Sequence, residues 1–341
     1  MMETIWFFLW ALLWTIYFML DGYDLGIGSL LPFFSKNENE RRVMINAMGP
    51  FWDGNEVWLV TAGGVTFAAF PKTYAVLFST LYTPLMILLF ALILRGISFE
   101  FRGKIDDRRW RRLWDGCLTL GSIVPGFLFG VTFGNLFQGI PIDESGILRG
   151  DFFTLLSPYA LLSGVLFVFL FVVHGALWLA VMTDEEMHER SLSAARGAWP
   201  ALVSVLVTFL VSSALTTDLY QNAINRPVLF LFPVLSVVAL IATRTFIGMR
   251  KPVQAFASSA IVILGTGMFG FTGLYPNMLL SSLNPQFSLT AFNSASSALT
   301  LKIMLGITLV VIPIVIAYQS WVHVLFGKKI RLEELKEGES Y

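Results

Sequence analysis

Cysteine is nearly absent from this chain. Cys117 is the single one among 341 residues, which excludes an internal disulfide and any zinc or iron–sulfur site built from several cysteines. Charge is scarce too. Charged residues make up 13% of the chain, where a soluble domain carries about 25%, so half the usual polar coat is missing. Histidine occurs three times, at positions 174, 188 and 323, too scattered for a paired-histidine metal site. No Walker-type phosphate loop is present; GVTFGN and GTGMFG are glycine stretches of the kind that let membrane helices pack. The formal net charge of +0 gives no argument for nucleic acid as a partner. No connection is long enough for a soluble domain, and no repeat or low-complexity segment stands out.

Hydrophobic residues make up 56% of the chain, in runs of the roughly twenty residues that a membrane helix requires. The runs predict an all-α integral membrane protein with about nine spans, near 5–33, 49–70, 75–99, 114–138, 157–182, 198–218, 228–249, 254–280 and 301–326. A polar tail follows at 327–341. The first run is longer than a signal-peptide core and passes into LDGYDLG without a small-residue cleavage site, so it is expected to be a retained helix. Nine spans separate the cations cleanly: seventeen Lys and Arg fall in the loops and tail of one side and four on the other. By the positive-inside rule the rich side is cytoplasmic, the N-terminus is outside and the C-terminus is cytoplasmic. Trp110, Trp114, Trp199 and Trp321 lie near span ends, as interfacial anchors do, and RRWRR beside the fourth span suits anionic lipid.

An ionisable group inside a span costs about 2.5–3.5 kcal/mol on insertion scales and points to function. Asp21 and Asp24 stand in the first span, Asp53 and Glu56 in the second. At a rise of 1.5 Å per residue, Asp21 lies about 24 Å in from the outer end and Asp53 and Glu56 about 6–10 Å in from the inner end. All four therefore fall in the cytoplasmic third of the bilayer. Each pair is spaced i, i+3 and shares a helix face. Carboxylates brought together in a dry site share protons, which suits the mouth of a proton-uptake path. The structural alternative is that some of them cap a helix break or pair with arginines of the basic side. Glu100, flanked by Arg95 and Arg102, is expected to form an interfacial ion pair. His174 is expected to be a satisfied intramembrane histidine or a proton-relay member, a single axial haem ligand being the lesser reading.

The segments LDGYDLGIG, NENERRVMINAMGPFWDGNEVWLVTAGG with its following FAAFP, RGISFEFR, RWRRLWDG, SIVPGFLFGVTFGNLFQG and TLKIMLGITLVVIPIVIAY occur in an order that resembles subunit II of the cytochrome bd-type quinol oxidases. The resemblance is strong through spans one to four and weaker beyond. It implies two four-helix bundles plus one peripheral helix, in a complex that oxidises a membrane quinol and reduces dioxygen to water with protons drawn from the cytoplasm. It further implies that haem b and haem d reside on the larger subunit I, that this chain binds neither haem nor metal, and that small single-helix subunits can join the complex. Residue by residue, Asp53 matches the family's proton-conducting aspartate and Asp21, with Asp24 a turn on, a second route. Glu56 stands where some members carry Gln, and Trp58 matches the tryptophan near the oxygen entrance. The alternative class is a proton-coupled secondary transporter using the same carboxylates.

Overall fold

A computed structural model describes residues 1–330; the expected tail therefore lies outside the described residues from position 331 onward. Twelve α-helices form: α1 (Met2–Phe34), α2 (Glu38–Asn46), α3 (Trp52–Ala69), α4 (Pro71–Thr80), α5 (Tyr82–Phe101), α6 (Arg108–Gln138), α7 (Pro158–Met182), α8 (Glu185–Thr216), α9 (Gln221–Asn225), α10 (Leu231–Gly248), α11 (Pro252–Leu274) and α12 (Ala298–Phe326). Their starts follow local chemistry. Asp107 accepts from the backbone N–H groups of Arg109 and Trp110 ahead of α6, and Ser157 and Ser297 cap α7 and α12 in the same way. Pro71, Pro158 and Pro252 occupy first turns, where the missing N–H costs nothing.

Among the described residues eight helices are long and apolar enough to cross a membrane. α3, in place of the expected span at 49–70, is an 18-residue helix with a polar first turn. At three further places the helix ends differ from the expected span bounds. Residues 71–80 form the separate helix α4, ended by Leu81, whose backbone leaves the helical region at φ −96° and ψ 20°, so the third span starts at Tyr82. α8 begins at Glu185, because its polar first turns are helical although hydropathy does not register them. α11 stops at Leu274, ahead of Pro276, which cannot donate to a continuing helix.

The helices pack as two groups of four. α1 packs on α3 and α6, with α5 against α6; α7 packs on α8 and α11, with α10 against α11; α1 and α6 join the groups through α7. α12 leans on α1 and α3 and buries little of itself. Close approach replaces hydrophobic driving force between helices in lipid, and Gly26 shows how: a Cβ there would lie 1.8 Å from the Phe171 carbonyl oxygen of α7. The outer faces of α8, α10 and α12 carry exposed Val207, Val238, Ile241, Ile307 and Val310, a surface that lipid can solvate and water cannot. At the end opposite the basic loops, strands β1 (Asn277–Leu279) and β2 (Leu289–Thr290) pair antiparallel, and Ile140 donates its backbone N–H to Leu280.

Candidate functional site

The first-span carboxylates sit where α1, α3 and α5 meet. Asp21 and Asp24 are both fully buried. α5 contributes Arg95, which is 0% exposed. Gly121 of α6 makes that possible, since a Cβ there would come within 2.8 Å of the Arg95 Cβ and 2.7 Å of the Ala91 carbonyl oxygen. Arg95 forks onto Asp21: Nη2 donates to Oδ1 at 2.5 Å and Nη1 to Oδ2 at 2.9 Å. Nη1 also donates to Glu56 Oε1 at 3.2 Å, and Nη2 lies 3.9 Å from Asp24 Oδ2. Two-pronged, charge-assisted bonds of this kind are the strong class of hydrogen bond.

Neutral groups complete the shell. The Tyr17 hydroxyl donates to Asp21 Oδ2 at 3.0 Å. Asn55 Nδ2 donates to Asp24 Oδ2 and to the Tyr23 hydroxyl, each at 2.7 Å. Asp24 Oδ1 and Arg95 Nε, both buried, have no partner among the described residues.

Exposure rises outward along α3. The Glu56 side chain is 23% exposed, and Asp53, one turn earlier, is exposed on the outer face of the chain and makes no ion pair among the described residues. The structure therefore brings three of the four expected carboxylates onto one guanidinium and leaves Asp53 beside them at the surface. For Asp21, the structural alternative of an arginine partner is the arrangement found. Trp58 is buried, and its Nε1 donates to Gln319 Oε1 at 2.8 Å, tying α3 to α12.

The expected Glu100 ion pair is absent among the described residues. Glu100 is exposed; Arg102 instead binds Glu38 at 2.8 Å and Asp115 at 2.6 Å, and Arg95 is taken by the acids above. Arg95, Asn55, Tyr17 and Tyr23 are the members that sequence reasoning did not place in the site. The signal was there: an arginine inside a span needs an acid as a partner, here one from a neighbouring span, and Asn55 lies between Asp53 and Glu56.

His174 is held by protein groups on both sides of its ring. His174 Nδ1 is 2.6 Å from Ser259 Oγ and Nε2 is 2.9 Å from the Met19 carbonyl oxygen, so both ring nitrogens are engaged, and the ring stacks on Phe256 at 4.4 Å. The apolar pocket walled by Phe18, Phe133, Phe167 and Phe171 holds about 30 Å³, room for roughly two waters. Among the described residues no group of His, Cys, Asp and Glu could hold a metal ion.

Residues 2–326 match the family described as cytochrome bd terminal oxidase subunit II. The chain is 38% identical over 358 residues to the probable cytochrome oxidase subunit 2 of Haemophilus influenzae, covering 96% of this chain and 95% of that protein. It is 36% identical over 336 residues to the cytochrome bd ubiquinol oxidase subunit 2 of Bacillus subtilis, covering 98% of each. Its fold is similar to a chain of the bd oxidase structure from Geobacillus thermodenitrificans, with a TM-score of 0.78 at 17% identity over 95% of this chain and 98% of that one. A family match across nearly the whole length displaces the transporter alternative: the chain belongs to the cytochrome bd terminal oxidase subunit II family and is one subunit of a membrane quinol:oxygen oxidoreductase.

Proposed function

We propose that this subunit carries no haem and supports its partner, the haem-bearing subunit I, by completing a proton route from the cytoplasm to the site of oxygen reduction. One observation carries the reading: carboxylates run from fully buried Asp21 and Asp24, through Glu56 at 23% exposure, to Asp53 on the outer face of α3. A single guanidinium balances one of the three acids that surround it. The others share that one cation and have no second one among the described residues, so they are the members proposed to carry protons. Asp21 is the acid that Arg95 clamps from two sides.

A carboxylate on the outside of a helix in a bilayer faces lipid or another protein, and the cost of facing lipid favours protein. The α3 face that carries Asp53 is therefore where subunit I is proposed to dock, with Asp53 passing protons across the contact. The cation asymmetry supports a cytoplasmic location for this end of the bundle and for the C-terminus of this bacterial inner-membrane protein, with the N-terminus outside. Trp58, packed between α3 and α12, is proposed to border the oxygen route. Haem b and haem d are assigned to subunit I, consistent with the engaged nitrogens of His174, and any small single-helix subunits are placed outside the α1–α3–α5 site.

Replacing Asp53 by Asn tests this. Quinol oxidase turnover should fall while the complex assembles with its full haem complement. Wild-type turnover at equal haem content would sink the proton role of Asp53.

A further inference from the structure

The second helix group carries charge that the oxidase site does not use. α8 and α10 run antiparallel, and two contacts set their register. At the basic rim, Glu189 of α8 pairs with Arg250, just beyond α10, at 3.3 Å. Deeper in, Trp199 Nε1 donates to the Leu240 carbonyl oxygen at 3.0 Å. Ten residues inward on α8 thus match ten residues back along α10 from Arg250. The same register sets Arg196 opposite position 243, next to Arg244, whose guanidinium lies 5.9 Å over the Trp199 ring.

Two arginines on neighbouring helices therefore stand at one level, about 10 Å inward of the rim pair at 1.5 Å per residue. Both are exposed, and neither has a hydrogen bond or ion pair among the described residues. Glu189, seven residues from Arg196 on the same face of α8, is already bound to Arg250. Space is left beside the pair, since a Cβ on Gly197 would meet nothing within 4 Å. Toward the bilayer centre, Val207 continues the Arg196 face and Val237 and Ile241 continue the Arg244 face, all exposed. The helices meet there over a narrow seam, whereas α7 closes on α8 and α11 on α10 along much of their length.

Two like charges at one depth lack a counter-ion. A guanidinium binds phosphate oxygens two at a time, a tryptophan at this level favours the headgroup zone, and basic clefts between spans take anionic lipid heads. The apolar stripe that follows each arginine selects a lipid over a free anion. We propose that the α8–α10 seam is a binding site for an anionic phospholipid, with its phosphodiester between Arg196 and Arg244 beside Trp199 and its acyl chains along Val207, Val237 and Ile241.

The test uses the purified whole complex, with native mass spectrometry for retained lipid and thermal midpoints after detergent delipidation. Phosphatidylglycerol or cardiolipin should be retained and should raise the midpoint. In R196Q/R244Q the retained anionic lipid should fall about tenfold or more, the scale expected on losing hydrogen bonds to a charged group, and the lipid-dependent rise should vanish. R196K/R244K should keep part of both, which separates charge loss from misfolding. Undiminished retention in R196Q/R244Q would overturn the site. So would equal stabilisation by phosphatidylcholine, which would show ordinary annular lipid, or by inorganic phosphate, which would show an anion site.

Discussion

Replacing Arg95 by Gln removes the only cation that touches Asp21, Asp24 and Glu56 among the described residues. The fork to Asp21, at 2.5 and 2.9 Å, and the 3.2 Å bond to Glu56 disappear together, in a place where Arg95 and Asp21 are both 0% exposed. Breaking a buried ion pair from one side costs about 3–5 kcal/mol, because the charge left behind has lost both water and partner. The direct comparison is Arg95→Gln against Arg95→Gln/Asp21→Asn. The double variant removes the stranded carboxylate, so it should recover about 0.5–3 kcal/mol, the usual coupling of residues in one network. Arg95→Lys should fall between wild type and Arg95→Gln, since a point charge cannot fork onto Asp21 while reaching Glu56. Heating a solubilised membrane complex is irreversible, so the assay is the half-life of haem-retaining complex at fixed temperature. The expected order is wild type, Arg95→Lys, the double variant, then Arg95→Gln. A double variant no more durable than Arg95→Gln would refute the coupling, and an Arg95→Gln half-life equal to wild type would refute the clamp itself.

Asp21→Asn should show mainly as lost stability: half-life falls first, and turnover per intact complex stays close to wild type, the opposite of Asp53→Asn. Gly26→Ala should prevent assembly, since its Cβ would sit 1.8 Å from the Phe171 carbonyl oxygen, whereas Gly63→Ala, with nothing within 4 Å, should give normal yield by size-exclusion chromatography. In the loop at the opposite end, the Ile147 backbone N–H, the Arg149 side chain and the Ser145 backbone N–H hold the Asp143 carboxyl below its ordinary value of 3.8. A lowered folded value stabilises above the unfolded value and is lost as pH falls through the folded one. Hydrogen exchange of residues 143–149 should therefore be slower in wild type than in Asp143→Asn near neutrality, with the difference shrinking as pH falls below 3.8 and gone once pH has passed the lower folded value; a difference that persisted in stronger acid would refute the assignment.

Most spans are legible in the sequence because an apolar run of membrane length is seldom anything but a membrane helix. The misread boundaries share a cause: hydropathy registers which residues lipid can solvate, not where hydrogen bonding of the helix stops. The polar start of α8 at Glu185 and the break at Leu81 both fall in that gap. The acids are legible as charges in apolar runs. Their partner is not, because Glu100 stands nearer to Arg95 along the chain than any of them. Five positions apart on a helix, Arg95 and Glu100 do not face each other, so the pairing has to come from another helix.

The placement of Asp53 follows from the same periodicity. The buried stripe of α3 is Asn55, Trp58, Ala62, Thr66 and Ala69, spaced three or four apart as one helix face requires. Asp53 lies two positions before Asn55, about 200° round a helix of 3.6 residues per turn, and so points away from the stripe. Glu56, about 100° from Asn55, falls on the border and can reach Arg95. α3 thus turns an amide and a tryptophan inward and an acid outward, the reverse of what a lipid-facing helix needs. Its first turn suits protein on both sides, so the carboxylate site that begins in this chain is proposed to continue into the subunit that covers Asp53.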